Sequence, residues 1–150
     1  MPPFDREKRF KTRSVDGTLA IARTLAEMLP APRVVILRGE LGAGKTTLVK
    51  GWVAALSGAE EQEVTSPTFG LVHAYAVRRG TVYHLDLYRL DTERELLTLG
   101  LEEMLVEPGA LVLIEWGERF ESVVNQADAE VAMEHLEGDE RSLFVRWRER

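Results

Sequence analysis

The stretch GELGAGKTT, from Gly39 to Thr47, satisfies the eight-residue frame GxxxxGK[ST] in full. A loop that cradles phosphate must turn successive backbone N–H groups toward one anion, and the positive φ angles this requires favour glycine. Gly42 and Gly44 supply that freedom. Lys45 then sets a cation against the β- and γ-phosphates, and Thr46 offers a hydroxyl to magnesium. A helix beginning here adds its positive N-terminal end. The same residues open as GxG, but position 47 is Thr where the dinucleotide fingerprint has Gly or Ala, so a triphosphate fits better.

Magnesium held by a threonine hydroxyl and phosphate oxygens still needs a carboxylate, normally at the end of a neighbouring buried strand. LVLIE, residues 111 to 115, runs through four apolar residues to Glu115, and VYHLD, residues 82 to 86, ends at Asp86 with His84 interrupting the run. Glu115 is the first choice for the metal shell and Asp86 the second; one can coordinate while the other orients or deprotonates the attacking water. The plainer expectation is ion pairing, Asp86 with Arg89 and Glu115 with Arg119. Ser66 and Thr68, in the SPTF stretch that Pro67 stiffens, offer hydroxyls where γ-phosphate-sensing switch segments lie; an ordinary loop entering a strand is the alternative. Trp116 suits either stacking near a nucleotide or partner, or packing in the core. His73, His84 and His135 lack ligand spacing and read as structural or surface residues, with His84 set apart by standing two residues before Asp86.

The whole chain limits what these residues can serve. With 150 residues, 45% of them apolar, it can bury one sizeable core, and a single domain is expected. The absence of cysteine removes any disulfide partner, thiolate metal site or catalytic thiol. The opening MPPFDREKRFKTRS has no signal-peptide core, and no apolar run approaches the roughly 20 residues that span a bilayer, so a cytoplasmic protein without a membrane partner is expected. A formal net charge of −6 makes the surface as a whole repel nucleic-acid phosphates, while leaving room for a local basic patch or a basic protein partner.

The elements that must position the loop and its acids can be read from periodicity. FKTRSV, residues 10 to 15, suits an edge strand. In the following DGTLAIARTLAEML, residues Leu19, Ala22, Leu25, Ala26 and Leu29 share a helical face, with Asp16 as N-cap and Pro30 and Pro32 as the stop. VVILRG from Val34 and ALVLIEWG from Ala110 are apolar on both alternating faces, as strands inside a sheet are. A helix runs from Lys45 to Gly58, after which TFGLVHAYAV and TVYHLDLYRL form two strands about the turn RRG. DTERELLTLGLEEML gives one or two short helices capped by Asp91 or Thr92 and interrupted at Gly100. The tail forms a hairpin turning at Glu137 to Glu140. The expected architecture is α/β and P-loop NTPase-like: a parallel core sheet extended by antiparallel strands, with helices on both faces.

Taken in order between residues 39 and 116, GELGAGKTT, SPTF, VYHLDLYRL and LVLIEW resemble the TsaE family of small ATPases, also known as the YjeE family. The resemblance covers nearly the whole chain, and HLDLYRL and IEW are far more specific than the phosphate loop alone. It implies an ATP-binding and hydrolysing accessory protein in the formation of threonylcarbamoyladenosine at tRNA position 37. Such a protein does not itself transfer the threonylcarbamoyl group. It acts with the TsaB and TsaD proteins, meets tRNA indirectly through their complex, and uses hydrolysis to reset that complex for further turnover. Carried over by position, nucleotide contacts fall on Gly42, Ala43, Gly44, Lys45, Thr46 and Thr47, and magnesium on Thr46 and Glu115. Asp86 matches the family's functionally important acid and Trp116 its tryptophan. Further nucleotide contacts fall near the end of the first strand and on the terminal hairpin, at Val15 and Arg141.

The motifs hold no evident arginine finger, so slow hydrolysis alone and a partner that completes the site are expected. Other functions share the same loop. Asn125-Gln126-Ala127-Asp128 superficially matches the guanine-reading NKxD of a GTP-binding switch, with Gln in place of Lys, so ATP is expected. A small-molecule kinase usually carries an arginine-rich lid, whereas the arginines here are dispersed or paired as Arg78 and Arg79. A nucleotide-dependent assembly clamp would need hydrolysis only secondarily.

Overall fold

A computed structural model describes residues 4–40, 43–57, 71–149 and the backbone of 63–65. These residues build one eight-stranded mixed sheet with helices on both faces. Its centre is two parallel strands, β2 (Arg33–Arg38) and β6 (Leu111–Glu115), in register from Arg33 opposite Leu111 to Leu37 opposite Glu115. Strand β7 (Ala129–His135) lies parallel on the far side of β2, and β5 (Gly80–Asp86) parallel on the far side of β6. Antiparallel strands extend both margins. Strands β8 (Arg141–Trp147) and β1 (Arg6–Thr12) follow β7, while β4 (Val72–Val77) and β3 (Glu63–Thr65) follow β5.

The two central strands lack a polar face because both sides are covered. Val35, Leu37, Leu111 and Leu113 pack with α1 (Val15–Met28) and α2 (Lys45–Ser57) through Leu25, Leu48 and Trp52. Val34, Ile36, Val112 and Ile114 pack against the opposite layer, α3 (Glu93–Leu97), α4 (Leu101–Val106) and α5 (Glu121–Gln126), through Leu96, Met104 and Val123. Each such fully buried branched side chain contributes about 1.5–3 kcal/mol, so the sheet's centre is its most strongly fixed part. Helices α1 and α2 approach closely at Gly51, where an added Cβ would stand 2.8 Å from Ala22 Cβ and 3.0 Å from Leu19 Cδ2. That contact seats α2, and hence its first residue, Lys45, over the sheet.

Two local details at the first strand and helix differ from the sequence expectation. The first strand runs earlier than residues 10 to 15, because all seven residues from Arg6 to Thr12 find partners on β8. The N-cap of α1 is Ser14, not Asp16: Ser14 has an extended backbone, and its Oγ accepts the Gly17 N–H at 2.9 Å, while Asp16 lies inside the first turn. At α3 the cap is Thr92, one of the two residues the sequence offered, and it forms a reciprocal capping box with Glu95. Replacing Ser14 by Ala should lower stability by about 1 kcal/mol, and replacing Asp16 by Ala by only a few tenths. Urea midpoints of the two variants check the order; a larger loss for Asp16→Ala would contradict the assignment.

Candidate nucleotide and metal site

The phosphate loop leaves the carboxyl end of β2 and enters α2, so it lies at the edge where parallel α/β sheets bind ligands. Gly44 has φ +105°, a conformation suited to glycine, while Gly42 lies outside the described residues. Behind it, Ala43 N–H donates to Glu40 O at 3.0 Å, and Leu48 N–H donates to Gly44 O at 3.0 Å. The loop therefore delivers Lys45, Thr46 and Thr47 as the first turn of a helix. Thr46 is exposed and Thr47 half-buried.

Lys45 is only 7% exposed. Its ammonium donates to Gly39 O at 2.5 Å, stands 3.4 Å from Glu115 Oε1, and lies 5.2 Å from the centroid of the Trp116 ring. Glu115, also 7% exposed, is the last residue of β6 and sits opposite both Leu37 and Asp86 in the parallel register. A lone charge in such surroundings would be costly, and this pair meets that cost with mutual attraction and hydrogen bonds.

The alternation of β5 brings a third group. Val82 fills the side of the sheet covered by α1 and α2, so His84 and Asp86 face the same way, toward the phosphate loop. His84 Nε2 stands 2.5 Å from Glu115 Oε2. Burial pushes the Glu115 carboxyl up, but the hydrogen bond and charge of His84, together with Lys45, outweigh it and hold the group below the ordinary glutamate value. Asp86 accepts the Tyr88 N–H at 3.1 Å, and Leu87 N–H donates to Glu115 O at 3.0 Å, which ties the two strand ends together.

Beyond β6 the chain turns sharply. Trp116 has φ +66°, a left-handed backbone that costs a side-chain-bearing residue about 1–2 kcal/mol. The turn places its ring over Lys45 and 5.3 Å from the Tyr88 ring. Arg119 does not pair with Glu115. It donates to Tyr88 O at 2.8 Å and Leu90 O at 2.7 Å and lies 3.7 Å from Asp91. The register explains the difference: Glu115 points across the sheet toward α2, while Arg119 caps the loop after β5.

A second group gathers on the other flank of the loop. Arg141 Nε donates to Ala43 O at 2.9 Å, and its Nη1 donates to Gly138 O and Glu140 O. Val15, Gly44, Thr47 and Arg141 line one small cavity together with Ser14, Thr18 and Asp139. The structure thus brings Lys45, Asp86, Glu115 and Trp116 together in one cluster, and Val15 and Arg141 against the other side of the same loop. Ser66 and Thr68 lie outside the described residues. His84 is the member that spacing along the sequence missed; its place two residues before Asp86 was the available signal.

The donor set fits magnesium with a triphosphate. Among the described residues there is no group of three or more His, Asp or Glu that could enclose a metal. Magnesium characteristically takes one or two protein oxygens and completes its shell with phosphate and water, and the Thr46 hydroxyl and Glu115 carboxylate are hard oxygens of that kind. The stretch from Asn125 to Asp128 lies at the opposite end of the sheet, where Asp128 Oδ2 accepts the Val34 N–H at 2.9 Å and Arg148 pairs with Oδ1. Arg78 and Arg79 sit in the turn between β4 and β5, also at that end.

A family model described as "Threonylcarbamoyl adenosine biosynthesis protein TsaE" matches residues 12–143. The chain belongs to the TsaE family. Proteins named tRNA threonylcarbamoyladenosine biosynthesis protein TsaE share 38% identity in Rickettsia conorii, over 88% of this chain and 74% of the relative. In Treponema pallidum the identity is 36%, over 91% and 98%. The crystal structure of YdiB from Bacillus subtilis matches with a TM-score of 0.72 at 26% identity, covering 96% of this chain and 87% of that one. The P-loop NTPase-like architecture, a parallel core extended by antiparallel strands, is therefore the fold of this TsaE family member.

The depressed Glu115 carboxyl has a defined pH consequence. A group held below its unfolded value contributes stability that is fully present above that value and is lost as pH falls through the folded one. The wild-type protein should therefore lose more stability between about pH 5 and about pH 3 than Glu115→Gln does. Urea midpoints across that range check this; parallel acid limbs would contradict it.

Proposed function

We propose that this chain, acting as one P-loop domain, is a magnesium-dependent ATPase that serves tRNA threonylcarbamoyladenosine formation in the cytoplasm together with TsaB and TsaD. The observation that carries the reading is the convergence of Lys45, Glu115 and Asp86 beside the loop that opens α2. Family membership supplies the biological setting, since the relatives bear the name of that biosynthesis.

In this reading the backbone of Ala43 to Thr47 and the start of α2 hold the phosphates, and Lys45 leaves Gly39 O to meet the β- and γ-oxygens. Thr46 and Glu115 hold magnesium, which when bound neutralises charge on the transferred group. Asp86, the neighbouring carboxylate at the end of β5, orients the attacking water. Trp116 and Tyr88 wall one side of the phosphate end, and Arg141, braced on Ala43 O, borders the other together with Val15. Ser66 and Thr68 serve as the switch that senses the γ-phosphate. Hydrolysis is slow in isolation, because Arg119 and Arg141 are both engaged by backbone carbonyls and a partner must complete the site.

The remote position of Asp128 removes the basis for a guanine reader, and the remote Arg78 and Arg79 do not form a kinase lid. ATP should accordingly compete far better than GTP in a direct binding assay. Lys45→Ala should lower ATP hydrolysis by about 100-fold or more. In reconstituted tRNA modification with TsaB and TsaD, Lys45→Ala and Glu115→Ala should fail under multiple turnover while retaining a single round. Unchanged multiple-turnover activity in both variants would remove the resetting role.

A further inference from the structure

We propose that His84 is a positioning residue of the magnesium site, holding Glu115 by Oε2 so that Oε1 is the oxygen turned toward Lys45, the phosphates and the metal. The inference rests on the ATPase reading above and adds a residue to it.

A glutamate on the last residue of a strand has three side-chain torsions and two equivalent oxygens, and facing Lys45 alone it could place both on the ammonium. The two oxygens of Glu115 are instead divided. Oε1 stands 3.4 Å from Lys45 Nζ, and Oε2 stands 2.5 Å from His84 Nε2. The side chains of Lys45, His84 and Glu115 are only 8%, 13% and 10% exposed, so bulk water competes weakly for these contacts. The imidazole is itself located by the sheet. His84 pairs with His73 across β4 and β5, with ring centroids 6.1 Å apart, and the parallel register sets it diagonally beside Glu115. A row of side chains thus runs from β4 through β5 and β6 to the first turn of α2. Partners that orient a metal-ligating carboxylate typically change metal affinity 10- to 100-fold when removed.

The test is calorimetric titration of the full chain with a non-hydrolysable ATP analogue, in magnesium and in EDTA, the readout being the gain in affinity that magnesium brings. His84→Leu, which keeps volume beside His73 but has no donor, should cut that gain at least about tenfold, with little change in EDTA. His84→Gln, which returns a donor near the Nε2 position, should restore it. If His84→Leu does not fold, His84→Ala carries the same comparison, with thermal melts showing which variants are folded. Adding the loss variant to Glu115→Gln should change nothing further.

A folded loss variant with the wild-type gain overturns the proposal, as does a further loss on top of Glu115→Gln. If Glu115→Gln itself keeps the full gain, the metal is held elsewhere and the ATPase site described above fails too. Loss in Glu115→Gln without loss in the His84 variants sinks the role of His84 alone.

Discussion

Lys45 and Glu115 are charged residues more than nine-tenths buried, one at the start of α2 and the other at the end of β6. Each charge offsets the burial cost of the other, because an unpaired buried charge costs several kcal/mol. The pair therefore constrains the loop between β2 and α2, the register of β6 against β2, and the depth at which α2 sits on the sheet. Gly51 meets the last requirement by letting α1 and α2 come together, and the apolar centres of β2 and β6 meet the second.

The same constraint explains why the candidate site residues collect at one end of the sheet. Parallel strands end together, so the residues that terminate β5 and β6 must be neighbours, and here both are acids. Around them lie the ring of Trp116, held by a left-handed turn, and the imidazole of His84. At the opposite end, Asp128 and Arg148 secure the amino terminus of β2, and their contacts are structural. One end of the sheet holds the candidate site and the other holds structural anchorage.

Much of this was legible in the sequence. Unbroken apolar runs before Gly39 and Glu115 marked the two strands buried on both faces, and the turn RRG and the terminal hairpin were local features with local signals. What escaped depended on contacts far apart in the chain. Ser14 rather than Asp16 caps α1 because the backbone leaving β1 is extended at Ser14, a geometry that both residue types permit. Glu115 ignores Arg119, four residues away, because strand alternation turns it toward α2. His84 reads as an interruption in VYHLD until β5 is placed beside β6, when the same interruption becomes the partner of Glu115. Spacing along the chain marked each acid as a candidate, whereas only the register showed what surrounds it.

In the proposed ATPase, one buried carboxylate, tied to Lys45 before nucleotide arrives, becomes a magnesium ligand when it does. A crystal structure with magnesium and a non-hydrolysable ATP analogue tests this most directly. Phosphates are expected on Lys45 and the loop backbone, the metal on Thr46 and Glu115, and Glu115 Oε2 still on His84. A bound nucleotide that leaves Lys45 on Gly39 O, or a metal without Glu115 in its shell, directly or through water, would contradict it.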